Sequence, residues 1–350
     1  MSSRSPASRF SWFPVDGLLK FFHAGSSAAP QPQEPSLGLV LSYGGARGLA
    51  HVGVIQVLEE ENIPISVIAG SSMGAYIGAL WASGASGGDL AKLAAEIKDR
   101  RALFSLLDPI FPPMAGFVYG HKIRRHLART LGETKLEDLK RRILIVATNL
   151  DSASAEILHD MPAAVAVHAS CAIPGILAPV EWEGHRYIDG GAAAPCPVRL
   201  LKQVTNVDHV IAVTVMPTAE DFQICNLDTF PVPPKPARTI WHKLARTLNK
   251  RINLFAYGNV LDTFKRCLTA AQRRMVEDDA KAADVLIHPF VCESKWYDFE
   301  NFDRYINAGR DAATAALPQI RNLLQPKPQP SLNNPHETVP ILPAVGHGST

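Results

Sequence analysis

The residue types and spacing of one glycine-rich turn point to a nucleophilic serine. In Gly70-Ser71-Ser72-Met73-Gly74, Ser72 has a glycine two residues before it and another two residues after it. Glycines at these positions relieve crowding in a sharp turn, so the Ser72 hydroxyl can stand at the N-terminus of the following helix. Gly70, Ser72 and Gly74 are therefore predicted to form a nucleophile elbow. Ser71 lacks the flanking pair and is not expected to react.

A second turn, Gly44-Gly45-Ala46-Arg47-Gly48, could present backbone N–H groups to a negatively charged oxygen. Residues without a Cβ let the main chain approach a ligand oxygen closely. On its own the turn is also compatible with binding a phosphate or a dinucleotide. It lacks the spacing of a dinucleotide loop and the lysine of a P-loop, so a nucleotide-binding protein is the weaker alternative.

An acidic residue follows a third apolar run, in Tyr187-Ile188-Asp189-Gly190-Gly191. A carboxylate in this position can act as a general base if burial raises its pKa toward neutrality. The same string is also compatible with an ordinary Asp-Gly turn. Asp189 is thus a candidate partner for Ser72.

Apolar runs separated by helical patterns must position these groups. Residues 37–42, 65–69, 142–148 and 210–215 are predicted as buried strands, and residues 48–58 and 74–82 as helices. Strands that alternate with helices indicate an α/β fold with a mainly parallel sheet. A chain of 350 residues, 47% of them hydrophobic, can bury one large core.

Several linked motifs give a specific resemblance. From about Leu37 to about Leu324 the chain resembles the bacterial patatin-like phospholipases, in the branch related to the neuropathy target esterase domain. The resemblance implies a mainly parallel central sheet flanked by helices. Residues 217–261 interrupt the α/β pattern and are predicted to form a helical lid-like insertion. The matching segments are 42–54, 70–74, 147–150, 169–175, 189–191 and 283–289.

The resemblance implies a serine acyl hydrolase, a carboxylic ester hydrolase of phospholipids or lysophospholipids. Ser72 and Asp189 would form a catalytic dyad without histidine, and the reaction would pass through an acyl-enzyme on Ser72. The implied oxyanion hole consists of the amides of Gly44, Gly45 and Ala46, with Arg47 and Gly48 supporting the loop. No cofactor is implied, and no histidine, cysteine or carboxylate cluster has the spacing of metal ligands.

Tyr43 departs from the family pattern, because three glycines usually precede the variable residue. If this position requires a conformation open only to glycine, Tyr43 would displace the loop and weaken the oxyanion hole. The protein would then be a peripheral membrane lipid-binding protein with weak or no hydrolytic activity. The other interpretation is that the amides in use begin at Gly44 and that Tyr43 shapes the substrate entrance.

Histidines and cysteines are expected to be structural. His51, His209 and His288 lie in or beside predicted helices and strands, so a triad that includes a histidine is not favoured. The five cysteines are odd in number and widely spaced, and we expect reduced thiols.

The remaining segments bear on partners and location. Residues 1–36 form an extension with an aromatic segment at 10–22, and residues 325–350 form a proline-rich tail expected to be disordered. Apolar residues at helical spacing alternate with basic residues over 238–255, which predicts either a lid or a helix that contacts membrane, as 10–22 also could. The net charge of +2 and the lack of an aromatic-basic platform give no indication of nucleic acid binding. No secretion signal is apparent, and we expect a cytoplasmic protein, with peripheral contact at the inner membrane left open.

Overall fold

The apolar runs of the sequence form one eight-stranded sheet. The computed structural model describes residues 35–97, 105–112, 115–225, 260–292 and 294–325. The strands are β1 (Leu37–Leu41), β2 (Ile65–Ser71), β3 (Ile143–Asn149), β4 (Ser154–Leu158), β5 (Val180–Trp182), β6 (His185–Asp189), β7 (His209–Val213) and β8 (Val285–Ile287).

The strand order is β5-β6-β3-β2-β1-β7-β8, and β4 pairs with β3 outside this path. The central pairs β3-β2, β2-β1, β1-β7 and β7-β8 are all parallel, whereas β6 and β4 run antiparallel to β3. The predicted mainly parallel sheet is confirmed. β6 is antiparallel, yet its last residue pairs with Ala147 near the C-terminal end of β3, so the predicted acid reaches the edge of the sheet where β2 ends.

Helices cover both faces of the sheet. β1 shows why, since Leu39 and Leu41 enter the larger apolar core while Val40 enters a second core on the opposite face. Strands of a parallel sheet that is covered on both sides are apolar throughout, as the sequence of β1 is. The helices of the described residues are α1 (Ala50–Glu60), α2 (Met73–Ser83), α3 (Gly87–Ile97), α4 (His121–Leu131), α5 (Ala163–Ser170), α6 (Val198–Val204), α7 (Ala219–Ile224), α8 (Val260–Ala280) and α9 (Phe302–Leu323).

Glycines let α9 lie directly on α1. The Cα of Gly53 faces the backbone of Ile306 and Arg310, and the Cα of Gly309 faces the Ala50 carbonyl, so a Cβ at either glycine would collide with main-chain atoms. This contact fixes α9 against α1, the helix that follows the turn at residues 44–48.

Both segments considered for membrane contact, 10–22 and 238–255, lie outside the described residues, as does the tail from residue 326. Only the ends of the 217–261 insertion are described, as α7 and the start of α8. Within the described ranges, no helix combines the length and the apolar character needed to cross a bilayer.

The prediction of reduced cysteines is wrong for Cys225 and Cys292, which form a disulfide with Cα atoms 5.7 Å apart. They are 67 residues apart in sequence. Because β7 and β8 are parallel neighbours, the segments that follow these strands leave the same edge of the sheet and bring the two cysteines together. The other cysteines, Cys171, Cys196 and Cys267, are free thiols.

Candidate active site

Ser72 occupies a strained turn between strand and helix. β2 ends at Ser71 and α2 begins at Met73, and Ser72 between them has φ 52° and ψ −120°. A positive φ is unfavourable for a residue with a side chain and costs on the order of 1–3 kcal/mol, a strain that proteins retain mainly at functional sites. The turn thus has the geometry of a nucleophile elbow.

The flanking glycines are needed because the main chain doubles back on itself. A Cβ on Gly70 would lie 2.6 Å from the Gly74 carbonyl oxygen and 2.7 Å from backbone atoms of Ala75. A Cβ on Gly74 would collide with the carbonyl of Leu41 at the end of β1. The elbow therefore packs directly against the strand that leads into the glycine loop.

Asp189 is the hydrogen-bond partner of Ser72. Ser72 Oγ donates to Asp189 Oδ2 at 2.6 Å, and both residues are buried. The other carboxylate oxygen, Oδ1, accepts the Gly191 amide at 2.7 Å. The main chain of Asp189 is also fixed, because its N–H donates to the Ala172 carbonyl and its carbonyl accepts from Thr148 Oγ1, each at 2.9 Å. The carboxylate is thus held with one oxygen aimed at the serine.

The surroundings raise the pKa of Asp189 toward neutrality. Burial raises the pKa of the Asp189 carboxyl to about 6, against the opposing effect of the hydrogen bonds from Ser72 and Gly191. A carboxylate with this pKa is ionised at neutral pH but accepts a proton more readily than an exposed aspartate does.

Ser170 at the end of α5 supports the elbow. Its Oγ accepts the Ser72 amide at 2.9 Å and donates to the Val146 carbonyl on β3 at 2.6 Å. The Ser72 amide is thereby already hydrogen-bonded, to the Ser170 hydroxyl. Ser170 lies in a motif that carried the family resemblance, yet its position gave no indication of this contact.

The glycine loop offers two of the three predicted oxyanion donors. Among the described residues, the amides of Gly44 and Gly45 have no hydrogen-bond acceptor. The Ala46 amide instead donates to the Trp296 carbonyl at 2.7 Å, so the prediction needs correction at this residue. The physical reason is that the chain around Trp296 packs against Gly45, whose φ of +58° turns the next amide toward it.

Arg47 and Gly48 tie the loop to its neighbours. The Arg47 guanidinium donates from Nε to Ser294 Oγ at 2.8 Å and from Nη2 to the Ser294 carbonyl at 2.7 Å. A Cβ on Gly48 would collide with the side chain of Met73, the residue after Ser72. The loop and the elbow are therefore in direct contact.

Tyr43 does not require a glycine conformation. It is absent from the non-glycine residues with positive φ, and its amide donates to the Pro195 carbonyl at 2.9 Å. Its hydroxyl donates to Gln272 Oε1 at 3.0 Å, and Gln272 Nε2 donates to the Gly191 carbonyl at 2.9 Å. Tyr43 thus reaches, through Gln272 of α8, the residue whose amide holds Asp189.

Neither a histidine nor Ser71 belongs to this arrangement. Within the described ranges no histidine is hydrogen-bonded to Ser72 or Asp189. His51 is buried with Nε2 2.8 Å from the Ser42 carbonyl oxygen, and burial lowers its pKa to about 4. The Ser71 hydroxyl is fully buried and has no hydrogen-bond partner among the described residues.

Ser72 lies in a strained strand-to-helix turn and is hydrogen-bonded to a buried carboxylate. Serine hydrolases use this arrangement. Residues 39–202 match the family model described as patatin-like phospholipase. This match confirms, over residues 39–202, the resemblance seen in the motifs.

Individual relatives agree with the family match. Lysophospholipase NTE1 of Pyricularia oryzae is 35% identical over 181 residues, which are 51% of this chain and 12% of that protein. An uncharacterized NTE family protein of Mycobacterium tuberculosis is 38% identical over 181 residues, which are 52% of this chain and 49% of that protein. The matches thus span only 12% to 49% of these relatives. The solved structure of VipD from Legionella pneumophila covers 83% of this chain and 67% of its own at 13% identity, with a TM-score of 0.44, too low to support a conclusion.

Proposed function

We propose that this protein is a lipid acyl hydrolase that cleaves carboxylic esters of phospholipids or lysophospholipids through an acyl-enzyme on Ser72. The observation that carries the proposal is the 2.6 Å hydrogen bond from the strained Ser72 to the buried Asp189. The family match and the relatives named lysophospholipase support the class of substrate.

In the acylation half-reaction, Asp189 Oδ2 takes the Ser72 hydroxyl proton as Oγ attacks the ester carbonyl carbon. The carbonyl oxygen becomes an oxyanion, to which the amides of Gly44 and Gly45 would donate. The N-terminus of α2 adds positive potential at the same point. When the tetrahedral intermediate collapses, the bond to the leaving alcohol breaks and the proton on Asp189 passes to its oxygen.

Deacylation repeats the same steps with water. Asp189, ionised again, takes a proton from a water molecule whose oxygen attacks the acyl carbon. Collapse of the second intermediate releases the fatty acid and returns the proton to Ser72 Oγ. A carboxylate with a pKa of about 6 suits both the base and the acid step near neutral pH.

The same geometry weakens the lipid-binding alternative. That alternative depended on displacement of the glycine loop by Tyr43, which lies outside the positive-φ region. The backbone of Tyr43 therefore gives no reason to expect a displaced loop.

The test combines labelling by a fluorophosphonate probe with hydrolysis of a short-chain nitrophenyl ester and release of fatty acid from lysophosphatidylcholine. Wild type should be labelled and should turn over both esters. Ser72→Ala should lose labelling and turnover, and Asp189→Asn should lose turnover. Ser71→Ala is the matched control, since the hydroxyl that it removes has no partner among the described residues, and it should behave like wild type. Folded wild type that binds lysophosphatidylcholine without labelling or turnover would overturn the proposal in favour of a lipid-binding protein.

A further inference from the structure

The helix α4 presents a cationic side that the active site does not use. Its sequence contains no acidic residue, and Leu127 and Leu131 are buried. Within the described ranges, its exposed lysine and arginines form no ion pair with a carboxylate. These exposed cations are Lys122, Arg124, Arg125 and Arg129.

Exposed apolar side chains lie on the segment that leads into this helix. Phe111 is 96% exposed, Tyr119 is 48% exposed and Leu107 is 36% exposed. The ring of Tyr119 stacks on His121 with ring centroids 5.4 Å apart, and Lys122 Nζ donates to the Leu107 carbonyl at 3.0 Å. We call Leu107, Phe111, Tyr119 and the four exposed cations of α4 the cationic-aromatic surface.

A cleft at the side of this surface has the charge to receive a phosphate. Its volume is about 510 Å³. Three basic side chains line it together with one acidic residue, so its net charge is positive. These lining residues are His121, Arg124, Arg125 and Glu133, beside the indole of Trp182.

Hydrogen bonds join the segment that leads into α4 to the segment that follows α5. The amides of Phe117 and Val118 both donate to the Ile176 carbonyl at 3.0 Å, and the Ala178 amide donates to the Val118 carbonyl at 2.9 Å. The segment that ends at Ala178 follows directly after Ser170, whose hydroxyl holds the Ser72 amide. The surface is therefore connected, through this segment, to the residue that accepts the Ser72 amide.

We propose that the cationic-aromatic surface docks the protein on an anionic phospholipid bilayer, an inference that rests on the proposed lipid ester substrate. Cations next to protruding aromatic and aliphatic side chains match the headgroup region of such a bilayer, where phosphates lie above the apolar chains. A partner that offers only negative charge would satisfy the arginines but would leave Phe111 exposed to water. Docking here differs from contact through residues 10–22 or 238–255.

The test is co-sedimentation of the full chain with vesicles of phosphatidylcholine alone or with 30% phosphatidylglycerol, a composition chosen to give a strongly anionic surface. The first variant is Arg125→Glu/Arg129→Glu, and the second is Phe111→Ser. The matched control is Lys92→Glu/Arg274→Glu, which makes the same change in charge at side chains that are 78% and 84% exposed elsewhere. Hydrolysis of a soluble short-chain nitrophenyl ester is measured for every protein.

Wild type and the control should bind anionic vesicles equally. The arginine variant should bind at least about tenfold more weakly, because each basic residue near an anionic surface contributes measurably to binding. Phe111→Ser should weaken binding to both vesicle types, and soluble ester hydrolysis should be unchanged in all variants. Unchanged vesicle binding in both variants, or loss of binding in the control as well, would overturn this docking surface. Hydrolysis of the soluble ester tests the proposed function separately from vesicle binding. Docking can fail while hydrolysis persists, and hydrolysis can fail while docking persists.

Discussion

Arg47 and Ser294 are 247 residues apart in the chain, yet two hydrogen bonds from the Arg47 guanidinium end on Ser294. One bond goes to the hydroxyl and the other to the carbonyl. The chain around Ser294 also includes Trp296, whose carbonyl accepts a hydrogen bond from the Ala46 amide. The glycine loop is thus held from outside by a segment that follows β8, and its amides keep one orientation.

We expect Arg47→Lys to lower kcat for a soluble ester by about tenfold or more, with a smaller effect on KM. A lysine cannot make two directed bonds from one planar group, and hydrogen bonds to a charged group are worth about 1.5–3 kcal/mol. Ser294→Ala removes only one acceptor and should cost less. Steady-state kinetics checks both variants, and a wild-type kcat in Arg47→Lys would show that the loop does not need this anchor.

Loss of the Gln272 amide should lower kcat more than loss of the Tyr43 hydroxyl. In Gln272→Leu the buried Gly191 carbonyl loses its donor, at a cost of about 1–3 kcal/mol for an unsatisfied polar group. The loop that holds Asp189 should then shift, and kcat should fall by about tenfold. Tyr43→Phe leaves the bond from Gln272 to Gly191 in place and should lose less than about threefold. The comparison of kcat in the two variants tests this order, and a larger loss in Tyr43→Phe would contradict it.

Activity should depend on the ionisation of Asp189. Since the base must be deprotonated and its pKa is raised to about 6, kcat/KM should rise with pH through about 6 and then level off. An uncharged nitrophenyl ester keeps the substrate from contributing a titration of its own. An inflection near the ordinary aspartate pKa of roughly 4 would mean that burial does not tune this carboxyl.

The raised pKa of Asp189 should also make the free energy of unfolding depend on pH. The direction is opposite to that of a salt-bridged aspartate, whose pKa is lowered. The folded state holds the Asp189 proton more tightly than the unfolded state, so ionised Asp189 opposes folding. The penalty is absent below about pH 4, grows as the pH rises through about 6, and is complete above that. The free energy of unfolding in urea should therefore be measured for Asp189→Asn and for wild type at pH 4.5 and at pH 8. The variant's value minus the wild-type value should be larger at pH 8 than at pH 4.5. A difference that does not change with pH would refute this linkage.

The crossing of α1 and α9 should be sensitive to one methyl group. Gly53→Ala places a Cβ against the backbone of Ile306 and Arg310, and such overpacking costs about 1–3 kcal/mol in the free energy of unfolding. Gly88→Ala in α3 is the matched control, because its Cβ would meet only Ser86 Oγ at 3.6 Å. Urea denaturation should find the control neutral or slightly more stable than wild type. Equal stability of both variants would show that the two helices can separate without cost.

The sequence by itself determined the features that depend on neighbouring residues, namely strands, turns and the candidate site residues within them. Alternating apolar runs and helical patterns predicted β1, β2, β3 and β7, because a buried parallel strand must be apolar throughout. The glycines around Ser72 predicted a turn that only residues without side chains permit, and the structure gives that turn a serine with positive φ. Asp189 could be singled out as an acid at the end of an apolar run, although a pattern alone could not exclude an ordinary turn.

Tertiary structure decided the contacts that join distant segments. Gln272 meets Gly191, Ser294 meets Arg47, and Trp296 takes the Ala46 amide, and no local pattern marks any of these residues. The disulfide between Cys225 and Cys292 has the same origin, since its partners meet only because β7 and β8 are neighbours. Strand order and the paths of the connecting segments set these distances, whereas propensity and hydrophobic periodicity act over a few neighbouring residues. The residues of the proposed site could therefore be named from the sequence, whereas the contacts that support them required the fold.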